Sequence, residues 1–234
     1  MHLQVMTNDR MAVLNTIAEQ GLMSLHQHPD PELAFLVAER IHEGGGRVLE
    51  FTNRFPQAIS TFSKLASMLR DRYPDMILGT GSVEDQATAA LFINAGAEFI
   101  VSPGLDSGTA LLCNRHKVPY LPGTMTITEI AEAESLGCEY VKLYPAMDPM
   151  FVTAVQMPRP WTRIVANGPI GLENLAPWFQ AGATAIGTMA MAPPDVVADG
   201  RYDEITSNVQ AMLTKITEVR SSLRTENPDQ SEQA

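Results

Sequence analysis

Ala95-Gly96-Ala97-Glu98-Phe99-Ile100-Val101-Ser102-Pro103-Gly104 is the stretch on which the fold turns. A glycine ends a helix, a short apolar run follows as a strand, and Ser-Pro-Gly stops it. The same punctuation recurs at Leu136-Gly137-Cys138 ahead of Tyr140, and at Ala181-Gly182-Ala183 ahead of Ala185. Outward from these three points, apolar runs at 22–26, 48–52, 76–79, 99–102, 119–121, 140–144, 163–167 and 185–187 predict eight strands. Their spacing of about 20 to 28 residues leaves room for one helix each. Pro31-Glu32 opens one such helix through Leu33, Leu36, Val37 and Ile41, closed by Gly44-Gly45-Gly46. Thr126 and Glu129 form a capping box before Ile130, Ala133 and Leu136. A further helix is expected over 173–179.

Alternation of this kind means a parallel sheet with right-handed crossovers. Eight units with no antiparallel break predict a closed (β/α)8 TIM barrel rather than an open sheet. No G-x-G-x-x-G opens a helix, which argues against a dinucleotide fold. An amphipathic helix over 203–224, carrying Ile205, Val209, Met212, Leu213 and Ile216 on one face, completes the expected domain. Residues 1–224 thus read as one barrel domain with N-terminal and C-terminal helices, and 225–234 as a polar, disordered tail.

The chain has 234 residues, 45% of them hydrophobic, and a net charge of −11. That acidity argues against nucleic acid or an anionic membrane surface as the partner. No window reaches the roughly 18 apolar residues of a membrane span, and residues 1–19 lack the basic and apolar regions of a secretory leader. Cys113 and Cys138 fall in no metal spacing and read as free thiols of a reducing cytoplasm. His26-x-His28 places two imidazoles near a strand end, but no carboxylate cluster completes a ligand set, so no metal is expected.

In such barrels chemistry sits at the C-terminal ends of the strands. This sequence puts Lys142 in Tyr140-Val141-Lys142-Leu143-Tyr144 and Glu50 in Val48-Leu49-Glu50-Phe51. Burial disfavours the charged form of either group, and a neutral amine makes a Schiff base with a carbonyl. The residues alone leave plainer roles open: a snorkelling Lys142, a structural ion pair for Glu50, a solvated loop charge for Arg54. Arg54 otherwise offers a planar fork to a substrate carboxylate.

These segments resemble the 2-keto-3-deoxy-6-phosphogluconate (KDPG) and 4-hydroxy-2-oxoglutarate (KHG) aldolases, class I enzymes on a trimeric (β/α)8 barrel. "G-x-R-V-L-E-V-T-x-R-x-x-x-A" stands as Gly45 through Ala58, and "G-A-G-T-V" as Gly79-Thr80-Gly81-Ser82-Val83. "A-G-A-x-F-x-V-S-P-G" is Ala95 to Gly104, "P-G-x-x-T-x-x-E" is Pro122 to Glu129, and "V-K-F-F-P-A" is Val141 to Ala146. The likeness runs from about residue 21 to 206, including Gly200-Arg201-Tyr202-Asp203 before the last helix.

The resemblance implies Lys142 as the imine-forming amine and Glu50 as the proton carrier, with no cofactor. Arg54 and Ser82 would hold the pyruvyl carboxylate, shaped by Gly81 and Pro103. Cleavage of a 4-hydroxy-2-oxo acid would give pyruvate plus an aldehyde such as glyceraldehyde 3-phosphate or glyoxylate. The partner is a small 2-oxo acid, and the assembly a homotrimer. Two loops depart from the family. Where it has "G-G-I" and "G-G-S" around a phosphate, this chain has Gly168-Pro169-Ile170 and Gly187-Thr188-Met189. Gly168 and Thr188 stay as substrate-contact candidates, but Pro169 lacks an N–H and Met189 lacks the hydroxyl. That predicts little gain from a phosphate, and so an unphosphorylated substrate such as 4-hydroxy-2-oxoglutarate or another aldol. Gln27 also stands where many relatives carry Arg.

Two other readings stand beside this one. A barrel acting on a sugar phosphate, such as an epimerase, fits poorly with the altered loops. A non-catalytic 2-oxo-acid binder leaves the buried amine unexplained.

Overall fold

Strand and helix alternate as the apolar runs dictate. The elements are α1 Arg10–Gln20, β1 Leu22–His26, α2 Pro31–Glu43, β2 Val48–Thr52, α3 Ala58–Arg72, β3 Ile77–Gly81, α4 Gln86–Asn94, β4 Ile100–Val101 and α5 Ser107–His116. Then come β5 Tyr120–Leu121, β6 Gly123–Thr124, α6 Ile127–Ser135, β7 Tyr140–Leu143, α7 Met150–Gln156, β8 Arg163–Asn167, α8 Ala176–Gln180, β9 Ala185–Thr188, α9 Pro194–Ala198 and α10 Tyr202–Glu226. The computed structural model describes residues 9–226. The polar stretch from 227 onward lies outside the described residues, whereas Thr225 and Glu226 belong to α10.

All strand pairs are parallel, in the order β5-β4-β3-β2-β1-β9-β8-β7-β6. The two ends of this list are one strand, parted only by Pro122. The Lys142 amide donates to the Pro122 carbonyl (2.9 Å) and the Gly123 amide to the Ser102 carbonyl (3.1 Å), so hydrogen bonds run from both sides onto the join. The result is a (β/α)8 barrel. Sequence predicts the fifth strand as one piece ending at 121. It is instead two short pieces, because a proline has no N–H to continue a ladder.

Side chains alternate along each strand and divide the core in two. Outward-facing Leu49, Phe51, Leu78, Val141 and Ile164 pack beneath the helices, where Phe62 meets Phe51 and Phe92 edge-on at 5.8 and 5.1 Å between ring centroids. Inward-facing Val48, Ile77, Phe99, Tyr140 and Val165 fill the barrel, and α1 closes its N-terminal end with Val13, Leu14 and Ile17. The Tyr140 hydroxyl donates to the Leu14 carbonyl (2.9 Å) and pins that plug. Arg220 on α10 donates to the carbonyls of Ala18, Glu19 and Thr184 and ties the C-terminal helix to the same end. One end of the barrel is sealed, which leaves the other for the site.

The predicted caps are present. Thr126 and Glu129 exchange both bonds of the capping box, and Asp30 caps α2 with Pro31 in its first turn. The buried stripe of α10 is Ile205, Val209, Met212 and Ile216. Strand three runs two residues further than predicted, to Gly81, because Phe51 and Thr52 pair with Thr80 and Gly81. Helix α8 starts at Ala176, three residues later than predicted.

Candidate active site

The alternation that sends Leu49 and Phe51 to the outer core sends Val48, Glu50 and Thr52 into the barrel. On β7 the same rule sends Val141 and Leu143 outward, and Tyr140 and Lys142 inward. Glu50 is fully buried and Lys142 is 4% exposed. Neither carboxylate oxygen of Glu50 has a hydrogen-bond partner among the described residues. Burial therefore pushes the Glu50 pKa up. The positive charges of Lys142, then Arg54, pull it back without overcoming desolvation. Lys142 lies beside Gly123 and Val165 in the register. Its Nζ stands 4.7 Å from the centre of the Tyr144 ring.

Arg54 follows β2 at the rim, exposed, and its Nε donates to Ser82 Oγ at 3.0 Å. Ser82 sits in the left-handed region (φ 60°) directly after Gly81, where the Val83 amide returns to the Val101 carbonyl (3.2 Å). Gly81 faces Glu50. Glu50, Gly81, Ser82 and Arg54 thus form one contiguous group over β2 and β3. Pro103 belongs to the neighbouring loop, exposed, with its carbonyl oxygen only 2.0 Å from where a Gly123 Cβ would lie. That contact sets Pro103 against the split strand.

A cavity of about 550 Å³ opens between the ends of β8 and β9. Arg54, Gly168 and Thr188 line it together. So do Leu25, which pairs in register with Glu50, and Tyr144, whose ring Lys142 touches. The buried acid and amine thus adjoin residues of its lining, Glu50 beside Leu25 and Lys142 beside Tyr144.

Two residues not singled out from sequence also belong here. Tyr144 shares the inward face with Lys142 two positions earlier, a signal that period-two reading carries. Asn167 is 4% exposed, lines the cavity, and leaves its Nδ2 without a partner among the described residues. Its inward parity with Val165 was the available clue. Gln27 accepts from Thr52 Oγ1 (2.5 Å). His26 is buried while His28 bonds the Asp30 amide (3.0 Å). No cluster of three or more potential metal ligands exists among the described residues. Cys113 and Cys138 are both buried free thiols, pushed up to about 12 by burial.

A parallel barrel with an amine and a carboxyl buried on its inner face has the groups that Schiff-base chemistry uses. A model of the KDPG and KHG aldolase family matches residues 13–208. The 2-dehydro-3-deoxy-phosphogluconate aldolase of Treponema pallidum is 33% identical over 187 residues, covering 78% of this chain and 87% of that protein. The KHG/KDPG aldolase of Escherichia coli K12 is 30% identical over 179 residues, with 75% and 82% covered. A solved 4-hydroxy-2-oxoglutarate/2-dehydro-3-deoxyphosphogluconate aldolase superposes with TM-score 0.76 at 28% identity, over 86% of this chain and 97% of that one. The chain belongs to the KDPG and KHG aldolase family, and is an aldehyde-lyase.

Proposed function

We propose that the chain cleaves a 4-hydroxy-2-oxo acid to pyruvate and an aldehyde, with Lys142 as the amine and Glu50 as the proton carrier. The observation that carries this reading is the pair itself. Glu50 and Lys142 are buried on the inner face of one barrel, and Glu50 lacks any hydrogen-bond partner among the described residues that would fix it in a structural role.

The chemistry follows from their positions. The Lys142 amine adds to the C2 carbonyl, and the carbinolamine loses water to give a protonated imine. A carboxylate at Glu50 takes the C4 hydroxyl proton. The C3–C4 bond then breaks with its electron pair flowing into the imine, which releases the aldehyde and leaves an enamine. Reprotonation at C3 and hydrolysis free pyruvate and return the amine. A carboxyl whose pKa is raised toward working pH suits both directions of proton transfer. Arg54 and Ser82, joined by their hydrogen bond, are placed to hold the C1 carboxylate, bounded by Gly81 on one side.

We take the barrel and its flanking helices, over the described residues 9–226, as one domain, the expected residues 1–8 lying outside the described ones. We place the protein in the cytoplasm, in keeping with its free thiols, and infer a homotrimer. Exposed Met125 and Ile127 after β6, and Met147 and Met150 after β7, give adjacent loops an apolar surface suited to a subunit contact. No described helix is long and apolar enough to cross a membrane.

Borohydride reduction in the presence of pyruvate, followed by peptide mass spectrometry, tests the reading. One reduced adduct at Lys142, absent from Lys142→Ala, is expected. An adduct elsewhere, or none, rejects it.

A further inference from the structure

We infer that the Tyr144 hydroxyl binds the oxygen on C4 of the substrate, and so serves the bond-breaking step rather than imine formation. This rests on the aldolase reading and adds a residue to it. Tyr144 stands where the family phrase has Phe, so the ring is shared with the family and the hydroxyl is this chain's addition. Lys142 Nζ lies 4.7 Å from the centre of that ring. An imine formed on Nζ therefore grows beside Tyr144, with C4 three bonds from the nitrogen.

The hydroxyl is uncommitted. Tyr144 is half-buried on the wall of the cavity of about 550 Å³, and its hydroxyl makes no hydrogen bond among the described residues. The register that sets Lys142 beside Val165 and Leu143 beside Ala166 brings Tyr144 next to Asn167. Asn167 lines the same cavity, and its Nδ2 is likewise unpartnered among the described residues. Two donors without acceptors thus share one stretch of wall. A hydroxyl or aldehyde oxygen is the kind of acceptor they lack.

The direction of the substrate assigns that oxygen. Arg54 and Ser82 follow β2 and β3, on the far side of the barrel from β7. A C1 carboxylate drawn to them turns C3 and C4, on the other side of C2, back toward the wall at β7 and β8. Tyr144 then donates to the C4 oxygen while that oxygen gives its proton to Glu50. As the C3–C4 bond breaks, its electron pair passes into the imine and the oxygen becomes the aldehyde carbonyl. Negative charge builds on the oxygen as its proton leaves, and a donor already in place stabilises that charge. Tyr144 keeps its own proton throughout. In condensation the same hydrogen bond polarises the aldehyde for attack by C3 of the enamine.

Tyr144→Phe removes the hydroxyl and keeps the ring, and two measurements on parent and variant separate the halves of the reaction. Exchange of the pyruvate C3 hydrogens in deuterated water needs the imine and enamine but no aldehyde. Condensation of pyruvate with the better of glyoxylate and glyceraldehyde 3-phosphate needs the aldehyde oxygen as well. The variant should keep exchange within ~2-fold of the parent and lose at least ~10-fold in kcat/KM for the aldehyde. Condensation at the parent's efficiency overturns the inference. So does an equal loss in both measurements, which would put the hydroxyl on the pyruvyl half. A parent that exchanges no hydrogen rejects instead the aldolase reading beneath it.

Discussion

A Cβ on Gly81 would lie 1.8 Å from Glu50 Oε1. The glycine is there for space and not for backbone freedom, since Gly81 has no positive φ. It lets a fully buried carboxyl reach across from β2 to the face of β3. Gly81→Ala must therefore displace either Glu50 or the strand, and the far end of Glu50 moves more easily than a paired backbone. We expect kcat to fall ~100-fold or more, because proton transfer depends on sub-ångström placement. Circular dichroism should show the barrel retained. A near-native kcat in this variant would sink the role given to Glu50.

Glu50 also carries a pH signature whose sign is opposite to that of an ordinary paired carboxylate. Its pKa is raised above 4.5 by burial, against the pull of Lys142 and Arg54. In the window above 4.5 the folded protein keeps the proton that the unfolded chain has released. Folding then takes up a proton, so stability falls as pH rises through that window. Glu50→Gln removes the cost while leaving Lys142 without a counter-charge. The net upward shift says that desolvation is the larger effect. The variant should therefore unfold at higher urea than the parent near neutral pH, and match it below 4.5. Its kcat should drop ~10²–10⁴-fold. A variant less stable than the parent at neutral pH would show that the ion pair outweighs desolvation.

Local signals made most of this barrel legible. Gly96, Gly137 and Gly182 mark helix ends ahead of strands, all three at positive φ, and Thr126 with Glu129 announces α6. Glu50 and Lys142 could be read as sitting in apolar strand runs, and the division of the core into two faces in the structure turns both inward. What escaped depends on neighbours distant in sequence. Thr80-Gly81 looks like a turn by composition, yet pairing with Phe51 and Thr52 draws it into β3. Pro122 splits a strand that hydrophobicity alone continues. Asn167 reads like any polar strand end. Its parity with Val165 is a faint clue, and its approach to Gly187, where a Cβ would lie 2.8 Å from Asn167 Nδ2, shows that it is held over the barrel. The cavity wall joins loops after β8 and β9, so neither loop alone reveals the cavity.

His26 gives the last prediction, on the acid side. It ends β1, is 5% exposed, and its Nε2 has no hydrogen-bond partner among the described residues. Burial lowers its pKa from 6.5 to about 4, with the charge of His28 a smaller cause. The unfolded chain binds this proton first as pH falls. The neutral imidazole therefore contributes stability that is complete above pH 6.5 and lost progressively down to about pH 4. At ~1.4 kcal/mol per pKa unit the full loss is about 3 kcal/mol. Asp85, Glu129 and Glu134 have lowered pKa values and titrate below most of this window. Glu50 works in the opposite direction within it, so the absolute stability curve mixes the two. The difference between the parent and His26→Asn cancels Glu50 and the shared carboxylates, leaving the imidazole. Urea unfolding at intervals from pH 7 to 4 should show the parent losing about 3 kcal/mol more than the variant. Parallel curves would mean that His26 gains a proton partner on folding, and that its burial does not hold it neutral.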